Sequence, residues 1–249
     1  MRALRDVLTP PELPRTPGLD IAKVYRGAEE VAGDFYLVTP GAAGSLVIAV
    51  GDAVGHGVRA AQQASFVRSS LATFAAKTDE PDRLLELANT SLIERTGLAD
   101  RFATCACTSI RPDGTLLTAS AGHPPPLALD SGEPLHEQHA LPLGVTVNFA
   151  VCSERRRLEP GGGYLLYTDG LTEARLTDGS GARVGVERIQ ERLRDLRGRP
   201  STDVVRELST LIPVDEFRRP ADDVCLLAAR TSSRAVKPPD DEVPTGAAY

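Results

Sequence analysis

An α+β fold is the class this sequence predicts, and two patterns predict it. Short apolar runs bounded by turn residues cluster as hairpins and do not alternate one for one with helical stretches. The stretches of helical period come in two groups, one after the first strands and one near the end. Antiparallel sheets covered by helices fit that order better than a parallel doubly wound sheet.

The elements follow in order. Pro10, Pro11, Pro14 and Pro17 mark residues 1–18 as an extended, Pro-rich lead-in, not a domain. Strand-like runs come at 20–26, 35–39 and 45–52. After Gly57 the run through Ala60, Ala61, Ala64 and Ala76 is Ala-rich and helical in period. A second helix is predicted from Pro81 to about Arg95, with Leu84, Leu85, Leu87, Ala88 and Leu92 as its apolar stripe. From 101 to 168 short strands are separated by turn signals such as Pro112-Asp113-Gly114 and Gly161-Gly162-Gly163. Helices fit 186–196 and 201–212, and a last strand fits 223–230. Residues 19–230 thus form the body, and 231–249, with Pro238-Pro239-Asp240-Asp241-Glu242, read as a disordered tail.

Composition narrows the function. Hydrophobic residues make up 41% of the chain and charged residues 25%, the balance of a globular domain. A net charge of −6, with no basic stripe, argues against a nucleic-acid partner. The lead-in lacks the apolar core of a signal peptide and no run is long enough to span a bilayer, so no membrane role and a cytoplasmic address are expected. Cys105 and Cys107 alternate along one run and so share a strand face, as small buried hydrophobes would.

Four aspartate positions carry the chemistry. Asp34 lies in Ala32-Gly33-Asp34-Phe35-Tyr36, and Asp52 follows Val47-Ile48-Ala49-Val50-Gly51. Asp169 ends Leu165-Leu166-Tyr167-Thr168 and precedes Gly170, and Asp222-Asp223 opens the last apolar run. Strand ends hold side chains in fixed places, and several carboxylates suit oxygen-seeking Mg²⁺ or Mn²⁺ better than Zn²⁺. Aspartates also end strands simply because they favour turns, and spacing alone does not separate the two readings.

Three phosphate chemistries compete. Cys105 and Arg111 match a C-x5-R phosphatase loop, but the five intervening residues form a strand without the glycine such a cradle needs. An aspartyl-phosphate mechanism would need its nucleophile two residues before Asp169, where Tyr167 stands. Metal-assisted hydrolysis through a water shared by two cations needs only convergent carboxylates, which are present.

The residues that resemble a known family are Ala32-Gly33-Asp34-Phe35-Tyr36, Gly51-Asp52-Ala53-Val54-Gly55-His56-Gly57, Arg101-Phe102-Ala103-Thr104, Ala121-Gly122-His123-Pro124-Pro125-Pro126, Pro142-Leu143-Gly144, Tyr167-Thr168-Asp169-Gly170-Leu171-Thr172-Glu173-Ala174-Arg175 and Asp222-Asp223. In this order they resemble the metal-dependent protein phosphatase 2C superfamily, in its bacterial stage II sporulation protein E subtype. The resemblance covers roughly 13–230 and implies an αββα sandwich of two antiparallel sheets flanked by helices. It implies a serine/threonine phosphoprotein phosphatase using two or more Mn²⁺ or Mg²⁺ ions and the water between them. By the same resemblance Asp34, Asp52, Asp169 and Asp222 are catalytic metal ligands, Asp52 bridges, the Ala53 carbonyl contributes, and Asp223 ranks behind Asp222. The implied substrate is a phosphorylated anti-anti-sigma factor in a partner-switching pathway, and a homodimer is compatible with the sequence. The alternative is a catalytically weak binding or regulatory module that keeps the fold. Leu37 stands where an aspartate is common and Ser120 where an asparagine is, but no carboxylate of the set is missing. His56, His123 and Arg26 carry no assigned role, and hydrogen bonding within the fold is the plainer reading for His123.

Overall fold

The computed structural model describes residues 8–98, 101–137, 140–176, 181–214 and 219–232. In chain order the elements begin with β1 (Leu19–Arg26), β2 (Asp34–Pro40), β3 (Leu46–Ala53), α1 (Gly57–Ala75) and α2 (Pro81–Thr96). They continue with β4 (Ala103–Ile110), β5 (Thr115–Ala121), β6 (Leu127–Ala128), β7 (Glu154–Arg157) and β8 (Gly163–Tyr167). A helical turn α3 (Asp169–Thr172), α4 (Gly185–Asp195), α5 (Ser201–Ser209) and β9 (Val224–Thr231) complete the chain.

The strands form two antiparallel sheets, β2-β3-β4-β5-β7 and β1-β9-β8-β6. Because successive strand residues point to opposite faces, each strand feeds two layers. In the larger sheet Phe35, Leu37, Val47, Ala49, Cys105 and Cys107 turn outward to meet Ala64, Val67 and Leu71 of α1 and Leu84, Leu85 and Leu92 of α2. In the smaller sheet Leu165, Tyr167, Val224 and Leu226 meet Ile189 and Leu193 of α4 and Val204 and Leu208 of α5. Between the sheets lie Tyr36, Ile48, Val50 and Ala106 from one side and Tyr164, Leu166, Cys225 and Leu227 from the other. The result is four layers, αββα, with three apolar seams.

Local chemistry explains the helix ends. Pro81 occupies the first turn of α2, where a missing amide costs nothing, and Gly97 ends it at φ 77° with its amide on the Ile93 carbonyl at 2.8 Å. The α5 start is held from β1: the Asp20 carboxylate accepts the Ser201 amide at 2.7 Å, and its carbonyl accepts the Ser201 hydroxyl at 2.8 Å.

Some expectations shift. The helix expected over 201–212 ends as α5 at Ser209. The turn α3 had no periodic signal because a single turn is shorter than the pattern that would reveal it. Thr231, expected to begin a disordered tail, is the last residue of β9 and pairs with Leu19. The rest of that expectation, from residue 233, lies outside the described residues, as do residues 1–7 of the lead-in. What is described of the lead-in lies across the first strands: the Pro11 carbonyl accepts the Tyr36 hydroxyl at 2.6 Å, and Glu12 pairs with Lys23 at 3.2 Å. Among the described residues no helix is long and apolar enough to cross a membrane.

Candidate functional site

The site grows out of strand alternation. Along β2 the side chains that face the other sheet are Val38, Tyr36 and Asp34, and along β3 they are Leu46, Ile48, Val50 and Asp52. Asp34 pairs directly with Asp52, and Asp52 directly with Thr104 of β4. The apolar seam between the sheets therefore ends in a polar row, Asp34, Asp52 and Thr104, on one edge of the sandwich. Directly opposed residues place their Cβ atoms about 4.5–5.5 Å apart. The smaller sheet supplies Thr168 at the end of β8, Asp169 at the start of α3, and Asp222 and Asp223 just before β9.

Each carboxylate is held differently. Asp34 is 2% exposed, and its Oδ2 accepts the Thr168 hydroxyl at 2.7 Å, while the Tyr25 hydroxyl donates to its backbone carbonyl at 2.9 Å. Asp223 uses both oxygens on the loop 27–33, accepting the amides of Ala28 at 2.8 Å and Gly33 at 2.6 Å. That places Asp223 as the clasp of this loop, while Asp222, the more exposed of the two, accepts among the described residues only the Asp223 amide, on its Oδ1 at 2.8 Å. Asp222 lies on the wall of a 330 Å³ cavity with Gly170, Glu173, Arg175 and Arg183.

Two glycines let the parts approach. A Cβ on Gly33 would stand 2.9 Å from the Ala53 carbonyl oxygen and 3.1 Å from Asp52 Oδ1, so these two oxygens flank one point beside the loop. A Cβ on Gly170 would lie 2.0 Å from the Asp223 carbonyl oxygen.

The electrostatics have one cause repeated. Burial drives the Asp34 carboxyl well above the usual carboxylate range, and the neighbouring Asp52 charge adds to it. Burial, then Asp169, Asp222 and Asp223, push Asp52 to about 7. Burial and Asp222 raise Asp169, and burial raises Asp223 against the opposing pull of its two amide donors. The charges acting most strongly on these carboxylates are one another.

A divalent cation fits that chemistry, since it supplies the positive charge the cluster lacks and accepts only hard oxygen donors. Among the described residues no three His, Cys, Asp or Glu side chains lie close enough to hold an ion by themselves. Magnesium-like ions ask for less, one or two carboxylates with carbonyls and water completing the shell. Asp52 with the Ala53 carbonyl, and Asp169 with Asp222, are the pairings on offer.

The raised carboxyl values carry a prediction with a definite sign. Folded Asp52 keeps its proton to about pH 7, whereas its ordinary value is 3.8, so between those limits the folded state binds more protons. The metal-free protein should therefore melt higher at about pH 5.5 than at about pH 7.5, and Asp52→Asn should lose much of that slope. Thermal melts with the same pH slope in both proteins would show that Asp52 is not desolvated in the fold.

The other sequence candidates find plain places. His56 is largely exposed beside Glu29, 3.2 Å away. Arg26 lines a 780 Å³ cavity with Lys23, Tyr25, Arg219 and residues of the loop 27–33. Cys105 is fully buried against α1 and α2, which pushes its thiol up and disfavours a thiolate. Arg111, its partner in the C-x5-R match, is committed to Asp79 at 2.6 and 3.0 Å and to Glu80 at 2.6 Å. The thiol reading has neither nucleophile nor cradle. What sequence reasoning missed is the hydroxyl set, Tyr25, Thr104 and Thr168. Thr104 and Thr168 each carried a signal, as the last residue of Arg101-Phe102-Ala103-Thr104 and as the residue before Asp169, whereas Tyr25 carried none.

Comparison with known proteins identifies the family and the fold. The model of the family described as Stage II sporulation protein E matches residues 42–232. The phosphoserine phosphatase RsbU of Bacillus subtilis (strain 168) is 26% identical over 184 residues, 72% of this chain, and this chain spans only 54% of RsbU. The structure of the RsbU and RsbW domains of Rv1364c from Mycobacterium tuberculosis superposes with a TM-score of 0.70 at 29% identity, covering 88% of this chain and 62% of that one. The SiaA-PP2C domain of Pseudomonas aeruginosa shares the fold, with a TM-score of 0.73 at 21% identity and 86% of each chain covered.

Proposed function

The chain belongs to the stage II sporulation protein E family, and on that premise we propose that it is a serine/threonine phosphoprotein phosphatase dependent on Mn²⁺ or Mg²⁺. The observation that carries this reading is the convergence of Asp34, Asp52, Asp169 and Asp222 at one end of the inter-sheet seam, where repulsion among carboxylates calls for cationic charge. Bound there, a pair of such cations lowers the pKa of water and offsets the charge on phosphoryl oxygens.

The residues divide the remaining work. Asp52 stands in the middle of the set, opposite Asp34 and within electrostatic reach of Asp169 and Asp222, the place from which one carboxylate would serve two ions. The Ala53 carbonyl would add a neutral donor beside it. Asp34 is fixed through Thr168, which leaves its other oxygen for a cation or its water. Asp169 and Asp222 would hold the opposite side. Asp223 keeps the loop 27–33 in place and ligates nothing directly in this reading. His123 is buried and neutral, and Cys105, Cys107 and Cys225 are buried, so none of these provides a nucleophile or an exchangeable proton for the substrate.

The substrate we propose is a cytoplasmic phosphorylated anti-anti-sigma protein. RsbU supports this as a named phosphoserine phosphatase, and Rv1364c because its structure carries an RsbU domain together with an RsbW domain. The test is phosphate release from each phosphorylated anti-anti-sigma protein of the source organism, with Mn²⁺ present and p-nitrophenyl phosphate as the small-substrate reference. Turnover of at least one phosphoprotein is expected. Folded protein that binds such a protein yet hydrolyses neither it nor the small substrate would support the binding module instead.

A further inference from the structure

His123 has no part in the chemistry above, yet it is 2% exposed and fully hydrogen-bonded. Its ring lies between the sheets. Nδ1 meets the Thr104 hydroxyl at 2.8 Å, and Nε2 meets the Tyr167 carbonyl at 3.0 Å. A carbonyl only accepts, so Nε2 carries the proton, Nδ1 accepts, and Thr104 donates. Burial lowers the imidazole to about 4, which keeps this single neutral tautomer across ordinary pH.

The turn that presents the ring is itself fixed. Gly122 takes φ 64° and its amide donates to the Ala140 carbonyl at 2.8 Å, while the Ser120 hydroxyl donates to the His123 carbonyl at 2.7 Å. A second tie runs beside the first: the Thr168 hydroxyl donates to Asp34 at 2.7 Å and accepts the Cys225 amide at 2.9 Å. Both ties cross from the larger sheet to the smaller, one on each side of Asp52, and they end on adjacent residues, Tyr167 and Thr168. The next residue is Asp169.

We propose that His123 is a positioning residue: pinned between Thr104 and the Tyr167 carbonyl, it sets the end of β8, and with it Asp169, against Asp52 and Asp34 across the sheet gap. The inference rests on the reading that these carboxylates hold divalent cations. A ring serving only to fill the core would affect melting, not the affinity of the folded protein for metal. A ring that sets carboxylate spacing must affect that affinity, and supporting hydrogen bonds around metal ligands are commonly worth about 10–100-fold in binding.

The test is Mn²⁺ binding by calorimetry to folded protein, with metal-free melting measured alongside. His123→Ala should weaken Mn²⁺ binding about 10-fold or more. His123→Gln, whose amide can donate to Tyr167 and accept from Thr104, should recover most of the loss. Thr104→Val should weaken binding alone but add little in the His123→Ala background, because both break one tie. Wild-type affinity in folded His123→Ala, or fully additive effects of the two changes, overturns the proposal. If His123→Ala does not fold, the milder Thr104→Val decides: weaker binding supports the tie, and unchanged binding overturns it. A wild-type chain that binds no Mn²⁺ overturns the metal reading and this inference together, whereas binding that the variants leave intact overturns this inference alone.

Discussion

Asp52→Asn should lower turnover about a thousandfold at saturating Mn²⁺, a loss of roughly 4 kcal/mol of transition-state stabilisation. Asp52 faces Asp34 on the neighbouring strand, and its charge is felt with those of Asp169, Asp222 and Asp223. Removing that one charge weakens attraction for cations throughout the cluster. The fold should survive, because the substitution removes a buried like-charge conflict and keeps the size of the side chain. Cys105→Ser provides the contrast. It places a hydroxyl on the helix-facing side of β4, among apolar neighbours, at a cost of about 1–3 kcal/mol of stability and little activity. Steady-state hydrolysis of a phosphoserine substrate by both folded variants, with a chelator control, reads the outcome. An active Asp52→Asn beside an inactive Cys105→Ser, or full turnover after exhaustive chelation, would end the metal mechanism.

The contrast between Asp52 and Cys105 also shows what the sequence disclosed. Short apolar runs revealed β2 and β3, and Gly51-Asp52 revealed where β3 changes from apolar to polar. Those signals are local, and local signals survive folding. Ala-rich and Leu-rich periods likewise gave α1 and α2 to within a residue or two. The inter-sheet row was not legible, because it depends on which strands become neighbours. Asp34 opposite Asp52, and Asp52 opposite Thr104, are facts of register across three strands.

Asp223 makes the same point from the other side. Its neighbour in sequence, Asp222, is chemically identical, and only partners 190 and 195 residues away, the amides of Gly33 and Ala28, distinguish the clasp from the more exposed carboxylate. Thr168 is a similar case. As the last residue of an apolar run it reads as a β-former, while its hydroxyl joins Asp34 to β9 across 134 and 57 residues of sequence. Cys105 and Arg111 fail in reverse: a match by spacing dissolves once Arg111 is seen to grip Asp79 and Glu80 at the turn between α1 and α2.

Gly170→Ala should be the most damaging conservative change near the site. Gly170 is the second residue of α3, and its backbone does not need a positive φ, so conformation alone would tolerate alanine. On that ground the substitution would stabilise by about 0.4–1 kcal/mol through the unfolded chain. Space decides otherwise. The added Cβ would meet the Asp223 carbonyl oxygen at 2.0 Å, with the Asp223 carbonyl carbon and Val224 Cγ2 both at 3.1 Å. These atoms belong to the start of a fully paired strand, so relief requires α3 or the β9 start to move by about an ångström. Overpacking of this kind costs about 1–3 kcal/mol and more where backbone must shift. A net loss near 3 kcal/mol corresponds to a fall of about 6–12 °C in melting temperature for a domain of this size. The movement separates Asp169 from Asp222 and pulls on Asp223, which carries the loop 27–33 and so bears on Asp34 as well. Mn²⁺ affinity should therefore fall with stability. Melting and Mn²⁺ calorimetry on Gly170→Ala, beside Gly181→Ala, whose Cβ meets nothing within 4 Å and whose cost lies only in its φ of 69°, separate crowding from backbone strain. Equal, small losses in the two variants, with Mn²⁺ binding unchanged in both, would refute the close contact between α3 and β9 on which the placement of Asp169 beside Asp222 depends.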